Sequence, residues 1–241
     1  MEKISKAQVK LVRSLQQKKF RDESGLFVAE GDKCVEELRR GFELVHLYRE
    51  GENASRVEIE QMSGLRTPQG VIGVFKQRTK DNGHRTMDGL VLALDGVQDP
   101  GNLGTIIRTC DWFGVHDIYC SLDTADCYNP KVVQATMGAL ARVRVHYVDL
   151  PEFIRSYKGP VYGTLLDGKN MYETELHKNA LIIMGNEGNG ISEEVRKLVT
   201  HPIRIPSYPN KEASDVVESL NVSIATAIVL AEFRSSGSTP A

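Results

Sequence analysis

The chain lacks most of the features that assign a protein to a class at first sight. Its 241 residues hold only four cysteines, Cys34, Cys110, Cys120 and Cys127, and no CxxC pair. That scatter excludes a disulfide framework or a zinc knuckle and reads as buried free thiols in a reducing compartment, with no metal site expected. No apolar run approaches the roughly 20 residues that span a bilayer, so no membrane partner is expected. The opening Met-Glu-Lys-Ile-Ser-Lys is hydrophilic, which reads as no signal peptide and a cytoplasmic protein. No GxxxxGK run followed by Ser or Thr occurs, which excludes a phosphate-binding loop of that kind. Gly101-Asn-Leu-Gly104 lacks the third glycine of a dinucleotide fingerprint, and Gly185, Gly188 and Gly190 are spaced wrongly for one.

Net charge is also nearly absent, at −2, but it is unevenly spread. Residues 1–85 hold 17 Lys and Arg against 13 Asp and Glu, and the remainder holds 13 against 19. Seven basic residues fall in the first 21. A basic segment on an acidic chain is compatible with a phosphate-binding surface, here Lys6, Lys10, Arg13, Lys18 and Lys19. A solvated face is the alternative.

Apolar spacing predicts a helix over 4–17, a strand over Leu26–Glu30, a helix over 32–40 closed by Gly41, and strands over 44–48 and 71–75. This is a small α/β domain over 1–80. Residues 81–88 read as a linker. The second domain, 89–234, opens on Leu90-Val-Leu-Ala-Leu94, apolar throughout as in a strand buried on both faces. Strands and helices then alternate: a helix over 103–113, a strand over 117–120, a helix near 130–140, strands over 143–147 and 160–165, the apolar strand Leu181–Met184, a helix capped by Ser192, and a strand over 203–205. The fold expected is α/β, a mostly parallel sheet with helices on both faces. Ser219–Glu232 reads as a final helix, apolar all round and therefore buried all round, with Ser219 as its cap. Leu220, Ile224, Ala227, Ile228 and Ala231 form its main stripe. Residues 235–241 read as a disordered tail.

Ligands of open α/β sheets bind beyond the carboxyl ends of strands. Three loops qualify: 95–104, 185–190 and 206–219. Their glycines can serve tight turns alone. Their polar residues carry more information: Asn102, Arg108 in an otherwise apolar helix, Glu187 in the middle of a glycine loop, and Ser219 and Asn221 before the last helix. Arg108 can instead pair with Asp111 or Glu187.

Asn102-Leu-Gly-Thr-Ile-Ile-Arg-Thr-Cys-Asp-Trp-Phe-Gly114 resembles the first motif of the SpoU (TrmH) family of RNA ribose 2′-O-methyltransferases, in the SPOUT superfamily. Ile183-Met-Gly-Asn-Glu-Gly-Asn-Gly-Ile-Ser192 resembles the second, and Ile205-Pro206 with Ser219-Leu-Asn-Val-Ser-Ile-Ala225 the third. The likeness covers about residues 90–233, and the N-terminal domain more weakly resembles the small RNA-binding domain of such enzymes. The resemblance implies a C-terminal trefoil knot, a homodimer, S-adenosylmethionine as cofactor and RNA as substrate, ribosomal rather than transfer RNA. It carries over Asn102, Arg108, Glu187, Ser219 and Asn221 as the catalytic set. It places Gly185, Ile205 and Leu220, joined by Thr164 and Met184, at the cofactor. One departure stands out: a longer, glycine-free segment, 207–218, replaces the usual short connection. A guanidinium is never deprotonated in proteins, so Arg108 is read as placing charge rather than as a simple base. The rival readings are a non-catalytic RNA-binding protein and a nucleotide-dependent oxidoreductase.

Overall fold

Two segments are apolar at every position, Leu90–Leu94 and Leu181–Met184, and such segments belong at the centre of a sheet. In the computed structural model, which describes residues 4–78, 89–208 and 219–235, they lie side by side in parallel from Leu90↔Ala180 to Asp95↔Gly185. The described residues divide into two units, 4–78 with 126–142, and 89–125 with 143–208 and 219–235.

The first unit begins with α1 (Lys6–Ser14), α2 (Lys18–Ser24), β1 (Leu26–Glu30), α3 (Asp32–Leu38), β2 (Leu44–Arg49), α4 (Arg56–Met62) and β3 (Val71–Lys76). The second opens on β4 (Leu90–Asp95), α5 (Pro100–Trp112) and β5 (Asp117–Cys120). The chain rejoins the first unit for α6 (Pro130–Thr136) and a 3-10 turn at Ala139–Ala141. It then forms β6 (Arg144–Tyr147), α7 (Leu150–Ser156), β7 (Val161–Asn170), β8 (Ala180–Gly185), α8 (Glu193–Arg196), β9 (His201–Arg204) and α9 (Val222–Ser235).

In the second unit the strand order is β6-β5-β4-β8-β7-β9, and every pairing is parallel. Successive strand residues face opposite sides. Val91, Ala93, Leu181 and Ile183 pack with Leu150 and Ile154 of α7 and Val195 of α8. Leu92, Leu94, Ile182 and Met184 alternate with them, and α9 packs on β8 and along α5. Helices thus cover both faces. Both central strands end at the loops singled out in the sequence.

The first unit is built differently. Its sheet, β1-β3-β2, is antiparallel throughout. Val12, Leu15, Tyr48, Ile59, Ile72 and Val74 form its core. The helix expected over 4–17 ends at Ser14, α2 was not expected, and the helix expected to reach residue 40 ends at Leu38. Helix α4 was not expected, although Ser55 and Glu58 form a capping box at its start. Arg21, counted among the surface cations, is 1% exposed; it forms an ion pair with Asp126 at 2.6 Å and donates to the Leu15 carbonyl at 2.9 Å. Tyr128 stacks against Phe27, with centroids 4.8 Å apart. Gly138 adopts φ +89°, and a Cβ there would fall 2.3 Å from the Cβ of Glu37, so only glycine fits. These contacts hold Asp126–Arg142 in this unit.

The expected linker, 81–88, lies outside the described residues, as do 209–218 of the long connection and residues 236–241 of the expected tail. Ser235, placed in that tail by the sequence, ends α9. Among the described residues no helix is long and apolar enough to cross a membrane, and no group of three or more His, Cys, Asp or Glu is arranged to hold a metal. All four cysteines are buried and none is in a disulfide, and burial pushes the Cys34 thiol up to about 11.

Candidate active site

Helix α5 starts where β4 ends. Asp99 caps it by accepting from the Asn102 amide at 2.8 Å, and Pro100 occupies the first turn. The helix therefore begins three residues earlier than its apolar spacing suggested. This places Asn102 on the first turn, facing the loop after β8.

That loop is folded on its own asparagine. The Asn186 side chain accepts from the amides of Gly188 and Asn189 at 2.9 and 3.0 Å. It also donates to the Gly96 carbonyl at 2.6 Å, tying the β8 loop to the β4 loop. Gly185 is forced: a Cβ there would lie 2.3 Å from the carbonyl carbon of Gly190. Asp95 accepts from the Ser192 amide at 2.7 Å. Ser192 sits at the start of α8 as expected, but its side chain makes no cap hydrogen bond.

Glu187 projects from this loop to the start of α5. It accepts from the amides of Gln98 at 3.3 Å and Asp99 at 3.2 Å, and from the Asn102 side chain at 3.0 Å. Partial burial works to raise its pKa, and the hydrogen bonds from Asn102 and the main-chain amides outweigh it, leaving the carboxyl below its ordinary value. Asn102 in turn accepts from Asn221 at 2.9 Å. Asn221 caps α9, its side-chain oxygen accepting from the amides of Ser223 and Ile224 at 2.9 and 3.3 Å. The cap is therefore Asn221, not Ser219. One asparagine, Asn102, bridges all three loops.

Arg108 lies six residues further along α5. Its side chain is exposed and makes no hydrogen bond or ion pair with any described residue. Neither Asp111 nor Glu187 engages it. Ser219 is likewise exposed and bonds to no described residue. The structure thus brings Asn102, Glu187 and Asn221 into one network and leaves Arg108 and Ser219 outside it.

Gly185, Ile205 and Leu220 follow the ends of β8 and β9 and precede α9. Gly185 and Ile205 are half-buried, and Leu220 is 50% exposed. The main chains of Ile205 and Leu220 bond to no described residue, which leaves polar groups beside an exposed apolar side chain. That donor set fits a ligand with both a polar edge and an apolar face. Met184 is buried below, and Thr164 donates to the Ile183 carbonyl at 3.1 Å. Both are tied into the sheet rather than turned outward. Asn186, Asp95 and the Gln98 and Asp99 amides were missed in the sequence. Only the Asn-x-Gly pattern at Asn186 signals an Asx turn.

Residues 89–231 match the family model of the SpoU rRNA methylase family. The chain belongs to this family. Residues 6–58 match the model of an MRM3-like substrate binding domain. The SpoU relatives include the 23S rRNA (guanosine-2′-O-)-methyltransferase RlmB of Bordetella pertussis, 32% identical over 82% of this chain and 86% of that one. A crystal structure of an AdoMet-bound rRNA methyltransferase from Sinorhizobium meliloti superposes with a TM-score of 0.85 at 31% identity, covering 99% of this chain and 98% of that one. A putative TrmH-family RNA methyltransferase from Porphyromonas gingivalis gives 0.84 at 36% identity, covering 95% and 98%. The chain spans 64% and 57% of the length of two other curated relatives it matches. The three stretches matched by motif in the sequence fall within the SpoU match.

Proposed function

We propose that the protein transfers the methyl group of S-adenosylmethionine to a ribose 2′-hydroxyl of ribosomal RNA. The observation that carries the reading is the Glu187–Asn102–Asn221 bridge across three loops, with an unpaired arginine on the same helix. The names of the SpoU relatives and of the AdoMet-bound neighbour support the cofactor and the substrate class.

Gly185, Ile205 and Leu220 hold the cofactor, with Thr164 and Met184 behind them. When bound, S-adenosylmethionine supplies a methyl carbon activated by a positive sulfur. A ribose 2′-oxygen held beside that carbon would be the acceptor, giving its proton to solvent. Arg108 grips the neighbouring RNA phosphate and stabilises negative charge developing on the 2′-oxygen. A fixed, planar donor fork suits both tasks. Glu187 is a positioning residue: it holds Asn102, and Asn102 holds Asn221 and the start of α9. Asn102, Asn221 and Ser219 orient the ribose. Alignment of oriented reactants contributes roughly 7–11 kcal/mol in such reactions.

The domain assignment follows the same reading, with a substrate-binding region over 1–80 and the knotted methyltransferase over 89–234. Trp112 at 84% exposed, Leu220 at 50% and Ile224 at 54% leave an apolar surface on α5 and α9 that supports a homodimer. The working location is the cytoplasm. Mapping 2′-O-methyl groups in ribosomal and transfer RNA from cells with and without the protein tests the reading. Loss of one ribosomal site is the expected result, and unchanged maps in both pools would reject it.

A further inference from the structure

Most cations of the first unit are neutralised inside it. Arg21 pairs with Asp126, Arg39 with Glu36, Arg40 and Arg142 with Glu37, Arg49 with Asp32 and Glu52, Arg56 with Glu50 and Glu60, and Lys76 with Glu43. Lys18 and Lys19 pair with Asp22 and Glu23 one turn along α2. Lys33, Arg66 and Lys131 are exposed and unpaired too, each alone in its stretch of chain, but among the described elements of this unit only helix α1 carries three such cations. Lys6, Lys10 and Arg13 are exposed and form no ion pair with any described residue, and α1 contains no acidic residue. Their i, i+4, i+7 spacing aligns them on one face over about 10 Å. The side turned away from them, with Val12 and, at the helix end, Leu15 buried, is fixed in the core.

We infer that the outer face of α1, through Lys6, Lys10 and Arg13, is the surface of the small unit that engages RNA phosphates, and that the equally basic α2 is not. This rests on the RNA-methylation reading above. Three free cations in a row are complementary to a run of backbone phosphates. A lysine already paired with a carboxylate has to give up that pair to bind one, and releases fewer counterions in doing so. The inference also explains how a chain of net charge −2 binds a polyanion: the positive charge is local rather than global.

The test is the salt dependence of binding between the full chain and 23S ribosomal RNA transcribed in vitro. The variants are Lys6→Gln/Lys10→Gln/Arg13→Gln and, as the control, Lys18→Gln/Lys19→Gln. Each contact to a phosphate adds roughly 0.7–0.9 to the slope of log affinity against log salt. The α1 variant is expected to lose about 2–3 from that slope, so a fourfold rise in salt weakens its binding roughly 20- to 40-fold less than it weakens the wild type. The α2 variant is expected to keep the wild-type slope. Circular dichroism and thermal melts confirm that both variants fold. An α1 variant with the wild-type slope, or equal slope losses in both variants, overturns the inference. A wild-type chain that binds this RNA with no salt dependence rejects the RNA reading itself.

Discussion

Lys6, Lys10 and Arg13 on α1 and Lys18 and Lys19 on α2 look alike in sequence and differ in structure. The first three have no acidic partner among the described residues, and the last two pair along their own helix. The same division runs through the second unit. Glu187, Asn102 and Asn221 satisfy one another across three loops, while Arg108 and Ser219 bond to no described residue. Polar residues that bond internally build the frame, and those left over are the ones proposed to meet the ligand. Hydrogen-bonding capacity is seldom left unused in a folded chain except where a partner arrives later or water serves.

The sharpest contrast is between two arginines. Arg21 is buried on a part-buried Asp126, so Arg21→Ala leaves that carboxylate without its cation and is expected to cost about 3 kcal/mol, read as a large drop in the midpoint of chemical denaturation. Arg108→Ala is expected to change the unfolding free energy by less than about 0.5 kcal/mol, because it removes no hydrogen bond or ion pair to a described residue. Its effect falls on methyl transfer, roughly 10²–10³ lower in rate at saturating cofactor, the scale for one charge-stabilising donor. Arg108→Lys is expected to recover little of it, since the ammonium lacks the planar fork. A lysine variant with near-normal turnover would mean that any cation serves.

The loop network comes next. Asn102→Ala and Glu187→Ala each remove the bond the other depends on, so the double variant is expected to cost less than the sum of the two, with a coupling of about 0.5–3 kcal/mol in unfolding free energy. Additive losses would dissolve the network into separate contacts. The smallest effect is on pH. The Glu187 carboxyl is held below its ordinary value in the fold. Its bonds therefore add stability above the unfolded carboxyl value, about 4.3, and that stability disappears as pH falls through the lower, folded value. Melting curves of wild type and Glu187→Gln are expected to differ near neutral pH and to converge in acid.

Much of this was legible in the sequence, and the rest has identifiable causes. Continuous apolar runs placed β4 and β8 at the sheet centre, and parallel pairing followed from strand–helix alternation. Three loops were marked by glycines and isolated polar residues, and Asn102, Glu187 and Asn221 meet as their motifs implied. The buried face of α9 was not legible. The helix read as buried all round, the stripe through Leu220, Ile224, Ala227, Ile228 and Ala231 included, yet Leu220, Ile224 and Ala231 are exposed, and Val222, Ser223, Thr226, Val229, Leu230 and Phe233 are buried. A helix apolar on every side has periodicity without phase, so its pattern cannot say which face turns inward. Arg21 and Asp126–Arg142 failed for another reason: their partners lie about a hundred residues away, beyond any local pattern. The cap at Asn221 rather than Ser219 was a choice between two equally suitable residues, decided by the bond to Asn102.

The most direct measurement incubates the purified chain with 23S ribosomal RNA transcribed in vitro and S-adenosylmethionine labelled on its methyl group, then hydrolyses the RNA in alkali. A 2′-O-methyl group blocks cleavage at its own nucleotide, so label should appear in a single alkali-resistant dinucleotide with the wild type and be lost with Arg108→Ala. Label recovered in mononucleotides, or an Arg108→Ala variant that labels the same dinucleotide at the wild-type rate, would contradict the account.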